Sequence, residues 1–142
     1  MKIFVRVLVI SLIVLYNNAT AQKKNITISE KIAVIVMPSQ EKIKQLKKES
    51  ASDDEFGVIV EDGLFYLDQA KTFLKKKNIK ILQVDGSQNV HYLENNSYKK
   101  LNIKNLSWDI LFYMPKKKPK QIDITDVEKE YQNYFLTIKK TK

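Results

Sequence analysis

The sequence predicts an α/β domain of the mixed α+β kind: a single mixed sheet of about five strands with about three helices, in the order β-α-α-β-β-β-β-α. Three observations carry this. Residues 31–37 (KIAVIVM) form an unbroken apolar, β-branched run, the pattern of a strand buried on both faces in a sheet covered by helices. Helix-period segments separate it from the next such run, residues 79–84 (IKILQV), so a crossover joins the two and they must lie parallel. The later runs follow one another through short turns, which predicts an antiparallel meander.

Taken in order, residues 22–27 are polar and read as a loose arm before the first strand. Pro38-Ser39 ends that strand. Residues 40–48 are lysine-rich with Ile43 and Leu46 three apart, an exposed helix with a narrow apolar stripe. Ser52-Asp53-Asp54-Glu55 is a capping box, with acids in the first turn facing the helix dipole. Beyond it, Phe56, Ile59, Val60, Gly63, Leu64, Leu67, Ala70 and Leu74 keep a helical period. Val58-Ile59-Val60 is β-branched, however, and Asp62-Gly63 is a hairpin-turn dipeptide. The reading is a short helix over about 53–60, a break at 61–63, and a firm helix over about 63–77.

Asp85-Gly86 closes the second strand. Residues 89–93 (NVHYL) and 98–103 (YKKLNI) flank a hairpin loop, Glu94-Asn95-Asn96-Ser97. Residues 107–114 (SWDILFYM) form an aromatic strand stopped by Pro115, and 116–120 (KKKPK) an exposed basic loop. Thr125 to Glu128 matches a second capping box, opening a last helix with Val127, Tyr131, Tyr134 and Phe135 inward.

Function is constrained first by the N-terminus. Lys2 and Arg6, the short apolar core 7–15 (VLVISLIVL) and Ala19-Thr20-Ala21 read as a signal peptide cleaved after Ala21. The apolar stretch is well short of the about 20 residues a membrane-spanning helix needs, so no transmembrane span is expected in residues 22–142. The expected location is the bacterial periplasm or the extracellular space. Loss of the leader takes the formal net charge of +9 down to +7 and removes Arg6, the only arginine.

An arginine-free body is poorly suited to specific nucleic-acid recognition, where the guanidinium fork bonds base edges and phosphate bidentately. With no cysteine, the chain can be neither a thiol oxidoreductase, a cysteine hydrolase nor a Cys-ligated zinc protein, and its core must be stable without disulfides. The glycines Gly57, Gly63 and Gly86 form neither a phosphate loop nor a dinucleotide fingerprint, so no cofactor is expected. His91 lacks a companion at a useful spacing and faces away from Val90 and Tyr92 by strand alternation; the acidic cluster around Asp53 does not follow the EF-hand pattern. No metal site is expected, and no catalytic residue is assigned.

The remaining candidates are binding residues. A helix break beside Gly63 would leave Glu61 and Asp62 on a concave edge. Alternation along the aromatic strand places Asp109, Leu111 and Tyr113 on one face, which would make a binding surface if that face were open. Lys116, Lys117, Lys118 and Lys120 would meet an acidic partner or, weakly, an anionic surface. Most of the other aromatics, Tyr66 and Phe73 among them, are expected in the core. The leading expectation is an exported, non-catalytic binding or accessory protein with a protein partner, inhibitor- or immunity-like. The alternatives are a small carboxylate-dependent hydrolase or lyase using Glu61, Asp62 or Asp109, and a lysine-rich binder of cell-wall polyanions or anionic lipid.

Overall fold

The computed structural model describes residues 25–136; the expected leader and its cleavage point lie outside them. Strands are β1 (Asn25–Ile28), β2 (Ile32–Met37), β3 (Lys80–Asp85), β4 (Asn89–Glu94), β5 (Ser97–Lys100), β6 (Asp109–Tyr113) and β7 (Lys120–Ile122). Helices are α1 (Gln40–Glu49), α2 (Asp53–Lys76) and α3 (Val127–Phe135), the last preceded by a 3-10 turn, Ile124–Asp126. The mixed α/β class and the three helices match expectation. The strands do not form one sheet of five. They form two sheets, a four-stranded one ordered β3-β2-β6-β7 and a three-stranded one ordered β1-β4-β5.

β2 and β3 pair in parallel, as the crossover requires, while β6 runs antiparallel to β2 and β7 antiparallel to β6. Both faces of β2 are buried. Ala33, Ile35 and Met37 join Ile110, Phe112 and the inner faces of α2 and α3 in one cluster. Val34 and Val36 join Val84, Leu111 and Tyr113 in a second, which is closed by Ile28, Val90, Leu101 and Ile103. The second face is therefore covered by a sheet rather than by helices. A continuous apolar run reports burial on both sides but not what does the covering.

The expected meander fails at two turns. After β3, the Asp85 carboxylate accepts from the Ser87 backbone N–H at 2.7 Å and from its hydroxyl, and Gln88 Oε1 accepts from the Asp85 N–H at 3.0 Å. This tight turn carries the chain off the large sheet, so β4 pairs with β1 and β5 instead. The β5–β6 connection carries it back. The loose arm is likewise corrected: Asn25–Ile28 is a strand parallel to β4, with Ile26 and Ile28 facing the inter-sheet core. The predicted hairpin is present. Asn95 and Asn96 have φ of 47° and 66°, as a two-residue turn of mirror-image type demands.

α2 is one continuous helix, not two. Ser52 Oγ accepts from the Glu55 N–H at 3.1 Å, so the predicted N-cap forms, while the Glu55 carboxylate accepts from the Ala51 N–H, one residue before the cap. At the other end Asn78 takes φ 57°, and the Ile79 and Asn78 N–H groups bond the Leu74 and Lys75 carbonyls. The N-terminal half packs Phe56 and Val60 on Ile43 of α1; the C-terminal half packs Leu67, Ala70 and Leu74 on the sheet. Gly63 does not break the helix. It lets the Trp108 indole lie directly on the helix backbone, since an added Cβ would stand 2.5 Å from ring atom Cε3. The second capping box is not formed: Asp123 accepts from Thr125 and caps the 3-10 turn, while α3 begins without a side-chain cap.

Candidate functional site

The candidate residues come from three elements: α2, β6 and the β6–β7 hairpin. Glu61 and Asp62 lie on the solvent side of α2, with Asp62 exposed and Glu61 half-buried. Asp109 sits at the start of β6, where its carboxylate accepts from the Ser107 N–H at 3.0 Å and from the Gln121 amide at 3.3 Å. Tyr113 is buried between the sheets and its hydroxyl donates to the Leu93 carbonyl at 2.9 Å. The open face that would have exposed Tyr113 and Leu111 is covered by the three-stranded sheet, so these two do not form a surface.

The basic loop is only partly free of the body. Lys117 Nζ donates to the Tyr134 carbonyl at 2.7 Å and stands 5.1 Å from that tyrosine's ring centre. Lys120 is paired with Glu130. Lys116 and Lys118 are exposed at the hairpin tip, with Lys116 in a left-handed turn at φ 69°. Two of the four lysines thus fasten the hairpin to α3, and Lys120 has its charge paired there.

Tyr134 is the anchor of that fastening. Its hydroxyl accepts from the Met114 N–H at 3.2 Å and donates to the Lys118 carbonyl at 3.0 Å. Burial pushes its pKa up to about 12, with the Met114 N–H bond acting in the opposite direction. A pKa raised above the unfolded value, about 10, gives stability that is complete below pH 10 and lost as pH rises through 12. The chain should therefore lose stability between pH 10 and 12, and Tyr134→Phe should flatten that part of the denaturation-midpoint profile relative to the parent.

Two concave regions stand out among the described residues. The larger, about 810 Å³, lies at the C-terminal ends of parallel strands β2 and β3, against the first turn of α1. This is where open α/β sheets commonly place ligands. Its walls carry both signs of charge, from Glu41 and Asp85 and from Lys42 and Lys104. Gly86 closes one wall, since its Cα lies so near the Lys104 carbonyl that a Cβ would stand 2.7 Å from it. The smaller, about 190 Å³, is a groove between α2 and the start of α3, lined by Tyr66, Ala70, Phe73, Ile124 and Val127. Glu61, Asp62 and Asp109 line neither. No group of three or more Asp, Glu or His among the described residues is arranged to hold a metal. No helix among them is long and apolar enough to cross a membrane.

Beside the smaller groove lies a group of exposed apolar side chains. Phe65 is 58% exposed, Val58 and Tyr66 each 39%, and the rings of Phe65 and Tyr66 meet edge to face with centres 5.5 Å apart. All three project from the outer side of α2, next to Glu61 and Asp62. Two of the expected binding residues therefore border this patch, but its aromatic centre was not singled out from the sequence. The signal was present: Phe65 falls off the apolar stripe formed by Phe56, Val60, Leu67, Ala70 and Leu74. An aromatic residue on the polar side of an amphipathic helix has no core to enter.

His91 lies mid-strand in β4, opposite Thr27 and Lys100 and on the face turned away from Val90 and Tyr92, as alternation predicts. Comparison with protein-family models, with curated proteins and with solved structures finds no match.

Proposed function

We propose that this is an exported, non-catalytic binding or accessory protein of the bacterial periplasm or extracellular space, acting through a protein–protein surface on the outer side of α2. The observation that carries this reading is the exposed Phe65–Tyr66 pair, with Val58 near it, on the outer side of α2. Aromatic side chains supply most of the energy of protein interfaces, and holding one in water is unfavourable unless a partner covers it. Glu61 and Asp62 border the pair and supply a polar rim. Export rests on the leader pattern of residues 1–21. The hydrolase alternative draws no support from the two concave regions described, since Glu61, Asp62 and Asp109 line neither. The polyanion alternative is weakened by the engagement of Lys117 and Lys120 within the fold.

The test has two parts. N-terminal sequencing of the exported protein should begin at Gln22; an intact Met1 start in the cytosol overturns the location. Immobilised protein should retain a stoichiometric polypeptide at moderate salt, and the Phe65→Lys variant should not. Equal retention by both overturns the surface.

A further inference from the structure

The larger concave region holds charges that the fold itself does not use. Asp85 lines it at the end of β3 and is only 3% exposed. Both bonds from Ser87, one from its N–H and one from its hydroxyl, go to Oδ1. Oδ2 receives no hydrogen bond from the described residues, and no lysine among them pairs with either oxygen. A buried carboxylate oxygen without a donor is costly, so on a cavity wall it calls for a donor from outside the fold. Lys42 and Lys104 line the same cavity, from α1 and from the loop before β6, and neither forms an ion pair among the described residues. Gln45 and Asn105 add side-chain amides to the lining. The walls are fixed in place. Gln88 Oε1 holds the Asp85 N–H, and at Gly86 the turn lies against the Lys104 and Ile103 carbonyls with no room for a Cβ. A site built before its ligand arrives spends less of the interaction energy on ordering.

From this we propose that the cavity binds a short zwitterionic peptide, its N-terminal ammonium on Asp85 Oδ2 and its C-terminal carboxylate on Lys42 and Lys104. The volume of about 810 Å³ has room for more than one amino acid, and the amides of Gln45 and Asn105 suit a peptide bond. A bare metal cation would face two lysines, and a simple anion would face Asp85; a ligand carrying both charges satisfies both walls. The N-terminus of α1 is not needed for this, since Glu41 in its first turn already offsets the dipole. No α2 residue lines the cavity, so binding here is independent of the partner surface.

Calorimetric titration of the protein, expressed from its complete coding sequence, with trialanine tests this. Trialanine should bind one to one with a dissociation constant below about 1 mM. N-acetyl-trialanine, which lacks the ammonium, and trialanine amide, which lacks the carboxylate, should each bind at least about tenfold more weakly, as loss of a charge-assisted bond requires. Asp85→Asn should abolish the discrimination against acetylation and keep that against amidation. The double variant Lys42→Gln/Lys104→Gln should do the reverse, a split that a general loss of folding would not produce. Gln45→Trp, at an exposed helix position, should fill the cavity and remove binding of every probe without shifting the unfolding midpoint. No binding of trialanine at about 10 mM, equal binding of the free and end-blocked peptides, or binding that survives Gln45→Trp would each overturn the proposal.

Discussion

Phe112→Ala is expected to destabilise the protein by about 3–5 kcal/mol, a large share of the about 5–15 kcal/mol that holds a domain of this size together. Phe112 is fully buried in β6, opposite Ala33 of β2, and its ring meets those of Phe135 and Tyr134 at 4.7 and 5.9 Å between centres. It is the point where sheet, α2 and α3 converge, and rigid neighbouring rings cannot collapse into the space it would leave. One position earlier, Leu111 points to the other face and is also buried, against the three-stranded sheet. Leu111→Ala should therefore cost about 2–5 kcal/mol. In a single sheet with an open second face it would cost far less. Urea denaturation of the two variants measures the double-sided burial directly.

The second large effect is at Gly63. In an ordinary exposed helix, glycine to alanine stabilises by about 1 kcal/mol. Here the new methyl carbon would stand 2.5 to 2.8 Å from three atoms of the Trp108 indole. Trp108 cannot easily withdraw. Its backbone is held at φ 58°, unusual for so bulky a residue, and its ring bridges the cluster around Phe56 with that around Phe112. Gly63→Ala should thus cost about 2 kcal/mol net, by overpacking. With Trp108→Ala already present the clash is gone, and Gly63→Ala should then stabilise by about 1 kcal/mol. The reversal of sign distinguishes steric contact from any effect on the helix alone.

Gly63 also shows why part of the fold was hidden in the sequence. Within a window of neighbours, Asp62-Gly63 after three β-branched residues reads as a turn. The residue that requires a glycine there, Trp108, is 45 positions away and reaches it only in the folded state. The same distance problem conceals the second sheet. Ile26 and Ile28 alternate with polar residues as a strand should, but four residues alone do not announce a partner, and β4 lies some sixty positions on. Features set by local chemistry were legible: the Ser52 cap, the Asn95-Asn96 turn, the parallel pairing of β2 with β3, and the inward side of α3.

The candidate surface divides in the same way. Glu61 and Asp62 were expected on a concave edge opened by a helix break; α2 is continuous, and the two residues line neither concave region. Tyr113 was placed on the right face of β6, by alternation, but that face proved to be interior. Lys117 and Lys120 are exposed as expected, but their partners, the Tyr134 carbonyl and Glu130, could not be read locally because they belong to a helix that folds back onto the hairpin. Phe65 was legible as an aromatic out of phase with its helix, and only the three-dimensional fold shows that nothing in the described chain covers it.

Covalent labelling of Phe65 and Tyr66 by hydroxyl radicals measures that cover where the protein works. Labelling of both rings in intact cells and their medium should fall several-fold below that of dilute purified protein, while Tyr98, 57% exposed on the distant β5 edge, should be labelled equally in both. Equal labelling of all three residues in the two settings would contradict a partner on α2.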